Sequence, residues 1–374
     1  MSLLKSRFIE LIGNIQNPKY PLVELNEICE FIKDGTHQTP IYTEDRVNGF
    51  KFLSSKDVTS QKINWTNIKY IPKELHEQLY AKLSPKRGDI LLAKNGTTGV
   101  AAVVDSDEIF DIYVSLALLR PKSGVNVSYL CSALNSEDLK RQFNSSLKGI
   151  GVPNLHLREI KKARIIFPPI DIQNKISSIT KQIDKSKFLL QQILEKFELL
   201  KKSRFIEMFG DVINNKKTWP TKRWSDVLNI VNGKNQKKVE CENGIYPICG
   251  SGGEIGKTNE YLTKENSVII GRKGNINNPI LMKTKFWNVD TAFGLEPNNK
   301  EINVEYLYKF CELFDFQRLN KTVTIPSLTK SDLLKIEIPV PPMKLQEEYR
   351  NFLAQVDKSK LIIQKALEDL VGKV

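Results

Sequence analysis

Two stretches of this chain occur twice in nearly the same letters. SRFIE stands at 6–10 and again at 203–207. A longer repeat consists of VPNLHLREIKKARIIFPPIDIQNKI, which begins at Val152, and the similar stretch IPSLTKSDLLKIEIPVPPMKLQEEY, which begins at Ile325. At this constant offset of 173 residues a Pro-Pro pair, a glutamine and the letters DKSK recur in register. Such self-similarity indicates that the chain builds two similar structural units.

Each repeated Pro-Pro pair is followed by a long helical pattern. Proline is favoured in the first turn of a helix, because its missing N–H would have no partner there. Apolar residues then recur at alternating four- and three-residue steps, and the same serine gap interrupts both copies, at Ser186 and Ser359. This is the heptad pattern of helices that pack along each other. The predicted helix–helix seam consists of Ile176, Ile179, Ile183, Leu190, Ile193, Phe197, Tyr349, Phe352, Val356, Ile363 and Leu370.

The repeat also relates the two ends of the chain. At the SRFIE offset of 197 residues Met1 corresponds to position 198, and at the offset of 173 residues Val374 corresponds to position 201. The first residues therefore resemble the missing end of the second long helix. We expect a circular, pseudo-two-fold arrangement in which two similar units are joined by two antiparallel helices.

Between the long helices, short β-branched runs alternate with glycine turns. GDILLAKNGTTG in the first half and NSVIIGRKGNINN in the second are typical of strands bounded by turns. We predict an α+β fold, with two mixed α/β domains separated by two long antiparallel coiled-coil helices. The predicted bounds are 1–14 for an N-terminal segment that completes the C-terminal helical region, 15–170 for the first domain, 171–210 for the central helix, 211–342 for the second domain and 343–374 for the C-terminal helix.

Composition narrows the classes of function. The net charge of +13 favours a polyanionic partner, although an ordinary Lys-rich protein has the same balance. Five cysteines without a C-x-x-C spacing argue against a disulfide framework or a cysteine-based zinc site, and three scattered histidines offer no metal cluster. Without a secretion signal or an apolar span, we expect a cytoplasmic protein that does not contact a membrane.

The chain shows no convincing catalytic motif. SGGEIGKT at 251–258 comes nearest to a phosphate-binding P-loop, but that loop requires G-x-x-x-x-G-K-[ST] before a helix, and Ser251 occupies the first glycine position. FPPI and VPPM only mimic the N-P-P-Y motif of DNA amino-methyltransferases, and both fit helix starts. We therefore predict no catalytic residue, no metal and no cofactor on this chain.

Polar loops after predicted strands are the remaining candidate sites. Lys and Arg can neutralise phosphates, while Asn, Gln and Arg can pair with base edges in the major groove. A single loop of this kind is more often an ordinary solvated turn, but four of them in a paired architecture favour nucleic acid. The predicted DNA-contacting residues are Lys33, His37, Gln38, Thr39, Lys94, Asn95, Thr97, Lys234, Asn235, Lys237, Lys238, Arg272, Lys273 and Asn275.

The duplicated PP-Q-helix-DKSK segments, LLKKSRFIEMFGD, and the loops DGTHQTP, AKNGTTG and GRKGNINN resemble the DNA-specificity subunit of type I restriction–modification enzymes. The resemblance covers nearly the whole chain. It implies that each globular domain is a target-recognition domain for one half of a bipartite, asymmetric double-stranded DNA sequence. It also implies that the helices set the spacing between the halves and dock modification subunits.

The resemblance further implies a division of labour among subunits. Two modification (methyltransferase) subunits and a restriction (endonuclease and translocase) subunit are the expected partners. S-adenosylmethionine, ATP and Mg²⁺ are expected on those partners, and this chain is expected to be non-catalytic. The family pattern does not transfer base-contacting residues to particular positions here.

Two other functions remain open from the residues alone. The long helices could belong to an assembly scaffold whose domains bind protein instead of DNA. The glycine-rich loop at 251–258 could serve a nucleotide-binding protein. The first alternative requires exposed apolar patches where the basic loops stand, and the second requires a helix after the glycine loop.

Overall fold

The structure is a computed structural model that describes residues 3–96, 98–146, 154–320 and 325–371. Its contacts divide the chain into two compact units. Unit 1 comprises Met1–Gln191 with Lys365–Val374, and unit 2 comprises Gln192–Gln364. The two units are described separately below.

The elements follow one another in a mixed α and β order. The α-helices are α1 (Leu3–Ile12), α2 (Leu25–Ile28), α3 (Lys73–Tyr80), α4 (Val127–Leu134), α5 (Glu137–Ser146), α6 (Leu157–Lys162), α7 (Ile170–Phe209), α8 (Trp224–Val227), α9 (Val304–Leu313), α10 (Lys330–Leu333) and α11 (Met343–Val371). The 3-10 helices are η1 (Ser55–Asp57) and η2 (Phe316–Leu319). The strands of unit 1 are β1 (Gly13–Asn14), β2 (Asn17–Pro18), β3 (Leu22–Glu24), β4 (Cys29–Asp34), β5 (Phe50–Leu53), β6 (Val58–Thr59), β7 (Lys62–Ile63), β8 (Lys69–Ile71), β9 (Ile90–Ala93), β10 (Ala101–Val103), β11 (Phe110–Ile112), β12 (Leu116–Pro121) and β13 (Arg164–Ile166). The strands of unit 2 are β14 (Thr221–Arg223), β15 (Leu228–Asn232), β16 (Tyr246–Gly250), β17 (Gly253–Thr258), β18 (Ser267–Gly271), β19 (Ile280–Met282), β20 (Trp287–Asn288), β21 (Ala292–Pro297) and β22 (Glu337–Pro339).

Each unit contains a four-stranded antiparallel sheet and a three-stranded mixed sheet. In unit 1 the strand orders are β10-β9-β12-β4 and β11-β5-β8. In unit 2 they are β15-β21-β18-β19 and β17-β16-β20. The parallel pairs β11·β5 and β20·β16 occupy matching places, so the two units repeat one sheet plan.

The four-stranded sheet is buried on both faces in each unit. Because successive strand residues point to opposite faces, neighbours on one strand enter different clusters. On β12, Leu119 packs in the cluster that includes the helices of unit 1, and Leu118 packs in the cluster that includes the three-stranded sheet. In unit 2, Ile270 of β18 likewise packs in the cluster that includes the helices, and Ile269 packs in the cluster that includes the three-stranded sheet. Burial on both faces explains why the sequences of these strands are continuous runs of apolar residues.

The two long helices begin where the Pro-Pro pairs predict. α7 starts directly after Pro169, and α11 starts directly after Pro342. α7 contains 40 residues and passes from unit 1 into unit 2. At about 1.5 Å of rise per residue, its length is about 60 Å.

Within unit 2 the end of α7 packs antiparallel to the start of α11. The Nζ of Lys201 lies 2.6 Å from Oδ1 of Asp357, and the Nζ of Lys360 lies 2.6 Å from Oε1 of Glu198. Further along α7 the ring of Phe205 stands 5.4 Å from that of Tyr349. Residue numbers rise along α7 where they fall along α11, so the two helices run antiparallel here, as the repeat predicts.

The predicted seam residues differ in burial. Ile176, Ile183, Tyr349 and Val356 are buried, while Ile179, Leu190, Phe197, Phe352, Ile363 and Leu370 are half-buried. Ile193 is 37% exposed. It shares a face of α7 with Leu189 and Leu200, which are also exposed, because these positions are four and seven residues away. That face of the helix therefore presents apolar side chains to solvent.

The two copies of SRFIE make matching contacts in their own units. Phe8 of α1 stacks on Tyr129 with ring centroids 6.5 Å apart. Phe205 of α7 meets Tyr306 at 5.6 Å. α1 thus supplies to unit 1 an aromatic contact that the end of α7 supplies to unit 2. That residues 1–14 complete the C-terminal helical region stays a prediction.

The repeated glutamines join each long helix to its unit. Gln346 is fully buried, and its Oε1 accepts a hydrogen bond from the backbone N–H of Asn303 at 2.9 Å. Its Nε2 donates to the carbonyl of Pro341 at 2.8 Å. Gln173 accepts from the N–H of Asn126 at 2.9 Å in the same way. The glutamine recurs in the sequence because it satisfies buried backbone groups in both units.

Replacing either glutamine by leucine should destabilise the unit that contains it. Gln346→Leu leaves a buried N–H and a buried carbonyl without a partner, which costs about 2–6 kcal/mol of unfolding free energy at about 1–3 kcal/mol per group. Gln173→Leu should behave alike. Urea denaturation followed by circular dichroism measures the loss. Gln355→Leu, at an exposed position of α11, is the matched control, and midpoints equal to the control would contradict the role assigned to these amides.

Across the described ranges, every helix is too short or too polar to cross a membrane.

Candidate nucleic-acid interface

The polar loops of unit 1 meet at one edge of its four-stranded sheet. β4 and β9 both pair antiparallel with β12, so they run in the same direction and end at the same edge. Asp34 ends β4, and the loops that follow β4 and β9 carry His37, Gln38 and Lys94. We call residues 33–39 together with 94–96 loop edge 1.

Unit 2 repeats this arrangement. β15 and β18 both pair antiparallel with β21, and their ends meet where β21 begins. We call residues 232–238 together with 272–278 loop edge 2. The sequence identified these loops one by one, and the topology brings them together in pairs.

Lys94 of loop edge 1 is held by two backbone hydrogen bonds. Its N–H donates to the carbonyl of Ser115 at 2.8 Å, and its carbonyl accepts from the N–H of Leu155 at 3.0 Å. Leu155 belongs to the longer repeated stretch. This stretch therefore includes a segment whose backbone hydrogen bond holds the loop in place. Sequence analysis found the repeated leucine and missed this contact.

Arg272 of loop edge 2 has the same pair of bonds. Its N–H donates to the carbonyl of Thr291 at 2.8 Å, and its carbonyl accepts from the N–H of Leu328 at 2.9 Å. Leu328 is the repeat partner of Leu155. Lys94 and Arg272 therefore occupy equivalent positions in the two units.

The charges of loop edge 1 are largely paired. The Nζ of Lys94 donates to Oδ2 of Asp34 at 2.7 Å, and Lys94 is only 5% exposed. The exposed His37 places its Nε2 3.4 Å from the same oxygen. Lys33 is exposed, with its Nζ 5.2 Å from the ring of Phe31. Lys94 was predicted to contact DNA, but its ammonium group lies inside the unit beside a carboxylate.

The other predicted residues of loop edge 1 are differently placed. Gln38 and Thr39 are exposed. Asn95 is half-buried, and its Oδ1 is a buried acceptor that no donor reaches within the part of the chain that the structure describes. Thr97 lies outside the described residues.

A cavity of about 260 Å³ adjoins loop edge 1 and is lined in part by Asp34, His37 and Asp111. Oδ2 of Asp111 lies 2.6 Å from Nδ1 of His76. Burial raises the pKa of the Asp111 carboxyl to about 6, although the hydrogen bond with His76 acts in the opposite direction. Sequence analysis missed this pair, because 35 positions separate the two residues and no local motif marks them.

The charges of loop edge 2 are unpaired. Lys234, Lys237, Lys238 and Lys273 are exposed, and Arg272 is half-buried with its guanidinium carbon 5.8 Å from the ring of Phe293. Counting only the described residues, none of these five cations forms an ion pair with an acidic side chain. Their positive charge is therefore available to a polyanion.

The asparagines and glycines of loop edge 2 shape its surface. Asn235 and Asn275 are exposed. A Cβ added at Gly271 would lie 2.1 Å from the carbonyl oxygen of Asn275, so only glycine allows the loop to fold back at this point. Asn275 therefore lies on the same short loop as Arg272 and Lys273.

The glycine-rich stretch 251–258 forms a β-hairpin. β16 ends at Gly250 and β17 begins at Gly253, and the two strands pair antiparallel. β17 continues to Thr258 in extended conformation, whereas a P-loop would require a helix there. The nucleotide-binding interpretation of this stretch is therefore not supported.

The turn of this hairpin reaches loop edge 2. A Cβ at Gly271 would lie 3.1 Å from the Cβ of Ser251. Ser251 thus forms a third polar element at this edge, which sequence analysis had set aside as a P-loop mimic. In the described ranges, no group of three or more His, Cys, Asp or Glu residues is placed to hold a metal ion.

Comparison with known proteins identifies the class. The sequence matches the type I restriction modification DNA specificity domain twice, over residues 18–199 and over residues 216–371. The two matches cover most of the chain, which therefore belongs to this family of DNA-specificity subunits. DNA recognition within a type I restriction–modification system is the function of the family, and the scaffold and nucleotide-binding alternatives are not favoured.

Curated relatives extend over nearly the same length. A putative type I restriction enzyme MjaX specificity subunit of Methanocaldococcus jannaschii is 20% identical, over 93% of this chain and 91% of the relative. A putative type I specificity subunit of Mycoplasma pneumoniae is 18% identical, over 85% of this chain and 81% of the relative.

Solved structures of such subunits share the fold. A chain from a study of complex assembly and conformational transition of the type I R-M system aligns with a TM-score of 0.65 at 17% identity, covering 95% of both chains. The S subunit from M. genitalium aligns with a TM-score of 0.52 at 17% identity, covering 95% of this chain and 94% of that one. The predicted fold class, with two α+β domains and two long helices in an internal repeat, is confirmed.

Proposed function

We propose that unit 1 and unit 2 each read one half of a bipartite, asymmetric double-stranded DNA sequence through their loop edges. The observation that carries this proposal is the repeated convergence of polar loops at equivalent sheet edges, fixed by equivalent backbone bonds at Lys94 and Arg272. Loops held on a rigid sheet are suited to base recognition, because a reader must keep its donors and acceptors in register with the base edges. The half-sites differ because the two loop edges differ in sequence.

The chemistry is assigned to partner subunits. Two modification subunits methylate adenines in DNA with S-adenosylmethionine, and a restriction subunit cleaves the DNA with ATP and Mg²⁺. The support for a non-catalytic role is family membership, together with the hairpin geometry of the glycine stretch that most resembles a nucleotide site. This chain contributes recognition, spacing and assembly.

Docking of the modification subunits is assigned to the long helices. In unit 2, Leu199 of α7 is 63% exposed, and Leu361 and Ile362 of α11 are 67% and 61% exposed. Apolar side chains exposed in groups mark protein–protein interfaces. They lie on helices that also carry the buried seam, so a partner that packs here would contact the spacer itself.

Exchange of one domain tests the proposed function. Replacing residues 211–342 by the corresponding domain of another family member should change one half of the methylated sequence and leave the other half and the spacing unchanged. The exchanged chain would be coexpressed with its modification subunits, and methylated adenines would be mapped by single-molecule sequencing. The unexchanged chain is the control. A change in both halves, or in neither, would contradict independent reading by the two units.

A further inference from the structure

The two loop edges differ at the residue that ends the first strand. Asp34 ends β4 and pairs with Ala117 of β12. Asn232 ends β15 and pairs with Phe293 of β21. These strands have matching places in the two sheets, so unit 1 has a carboxylate where unit 2 has a neutral amide.

We propose that Asp34 is a base-reading residue of unit 1, held in position by Lys94, and that it selects a base with an exocyclic amino group at one position of its half-site. This proposal rests on the function proposed above. Lys94 is then a positioning residue that supports the carboxylate and does not contact phosphate.

Among the residues that the structure describes, only one oxygen of the Asp34 carboxylate has a partner. Oδ2 accepts the hydrogen bond from Lys94 at 2.7 Å and faces His37 at 3.4 Å. Oδ1 accepts no hydrogen bond from any described residue. The side chain of Asp34 is 18% exposed, so it reaches the surface of loop edge 1 while one of its oxygens is held.

For electrostatic reasons, Lys94 pairs with Asp34 and does not contact DNA. The side chain of Lys94 is 6% exposed, so its ammonium could reach a phosphate only by abandoning the carboxylate and leaving it partly buried and unpaired. An unpaired carboxylate beside DNA would in turn be repelled by the phosphates. The pair as a whole is neutral, which lets a carboxylate stand at a DNA-facing edge.

The acceptor then distinguishes bases in the major groove. Cytosine presents its N4 amino group and adenine its N6 amino group, and both can donate to a carboxylate oxygen. Guanine and thymine present acceptor oxygens at the corresponding positions, which a carboxylate repels. Asp34 should therefore favour cytosine or adenine. On loop edge 2, Arg272 has no acidic partner among the described residues and is suited instead to phosphate or to guanine.

Asp34→Asn tests this role in the full chain coexpressed with its modification subunits. Asparagine keeps the shape but offers a donor as well as an acceptor, so the preference for an amino-bearing base at one position should fall by about tenfold. Mapping of methylated adenines measures the preference. The half-site of unit 2 should not change, and a general loss of folding would not produce a shift confined to one position.

Two further variants complete the experiment. Asp107→Asn alters an exposed carboxylate that pairs with Arg87 before β11, away from loop edge 1, and should leave every position unchanged. Asp34→Asn with Lys94→Met removes both charges, so it avoids a buried unpaired ammonium and should show the same relaxed preference. An unchanged preference in Asp34→Asn or in the double variant, or failure of both of these to support methylation, would overturn the role of Asp34. A native chain that yields no bipartite methylated sequence would instead contradict the proposed function.

Discussion

Reversing two charges on loop edge 2, Lys234→Glu with Arg272→Glu, should weaken DNA binding of the assembled complex by about 100-fold. Each cation that contacts DNA contributes about 1–3 kcal/mol, and neither of these is engaged by an acidic group among the described residues. Both occupy the edge where β15 and β18 end, so they would face the same stretch of DNA. Reversal adds repulsion to the lost attraction.

A salt series makes this measurement specific. The logarithm of the affinity falls with the logarithm of salt concentration by about 0.9 per phosphate contact, so the double variant should show a slope shallower by up to about 2. Lys264→Glu with Lys300→Glu is the matched control. These exposed lysines precede β18 and follow β21, at the opposite end of the same sheet, and carry the same charge change. Equal affinities of the variant and the control at every salt concentration would exclude loop edge 2 from the interface.

The internal repeat predicted the helices more completely than the sheets. The Pro-Pro pairs mark where α7 and α11 begin, because proline has a specific effect at the first helical turn. The order of strands was not predictable in the same way. β9 and β4 become neighbours of β12 through pairings between distant segments, and no local pattern in the sequence encodes them.

The residue types of the candidate site could be predicted from the sequence, but the role of each residue could not. Lys94 and Arg272 are alike as sequence signals, since both are cations in glycine loops after strands. The structure distinguishes them because Asp34, 60 positions before Lys94, ends β4 on the other side of β12, and its carboxylate pairs with the Lys94 ammonium. Such an ion pair depends on tertiary pairing between distant strands, which a single sequence does not reveal. The predicted contacts themselves stay predictions.

Lengthening α7 by four residues should abolish methylation of the original sites and create methylation at sites with a different spacing. α7 is continuous from Ile170 to Phe209, and four added residues lengthen it by about 6 Å and turn its later part by about 40°. Because the loop edges lie in the two globular units and are unchanged, both half-sites should keep their sequences. The insertion is placed after Asp184, which is exposed, so that the buried Ile176 and Ile183 keep their positions in unit 1.

Mapping of methylated adenines measures both the half-site sequences and the spacing between them in one experiment. Substituting alanine at the exposed Lys181 and Lys185 without an insertion is the control, and it should keep the native spacing. The inserted chain should still assemble with its modification subunits, because Leu199, Leu361 and Ile362 all lie in unit 2, after the insertion. Methylation at the original spacing by the lengthened chain would show that α7 does not set the distance between the half-sites. The same half-sites at a new spacing would establish that recognition belongs to the loop edges and distance to the helix.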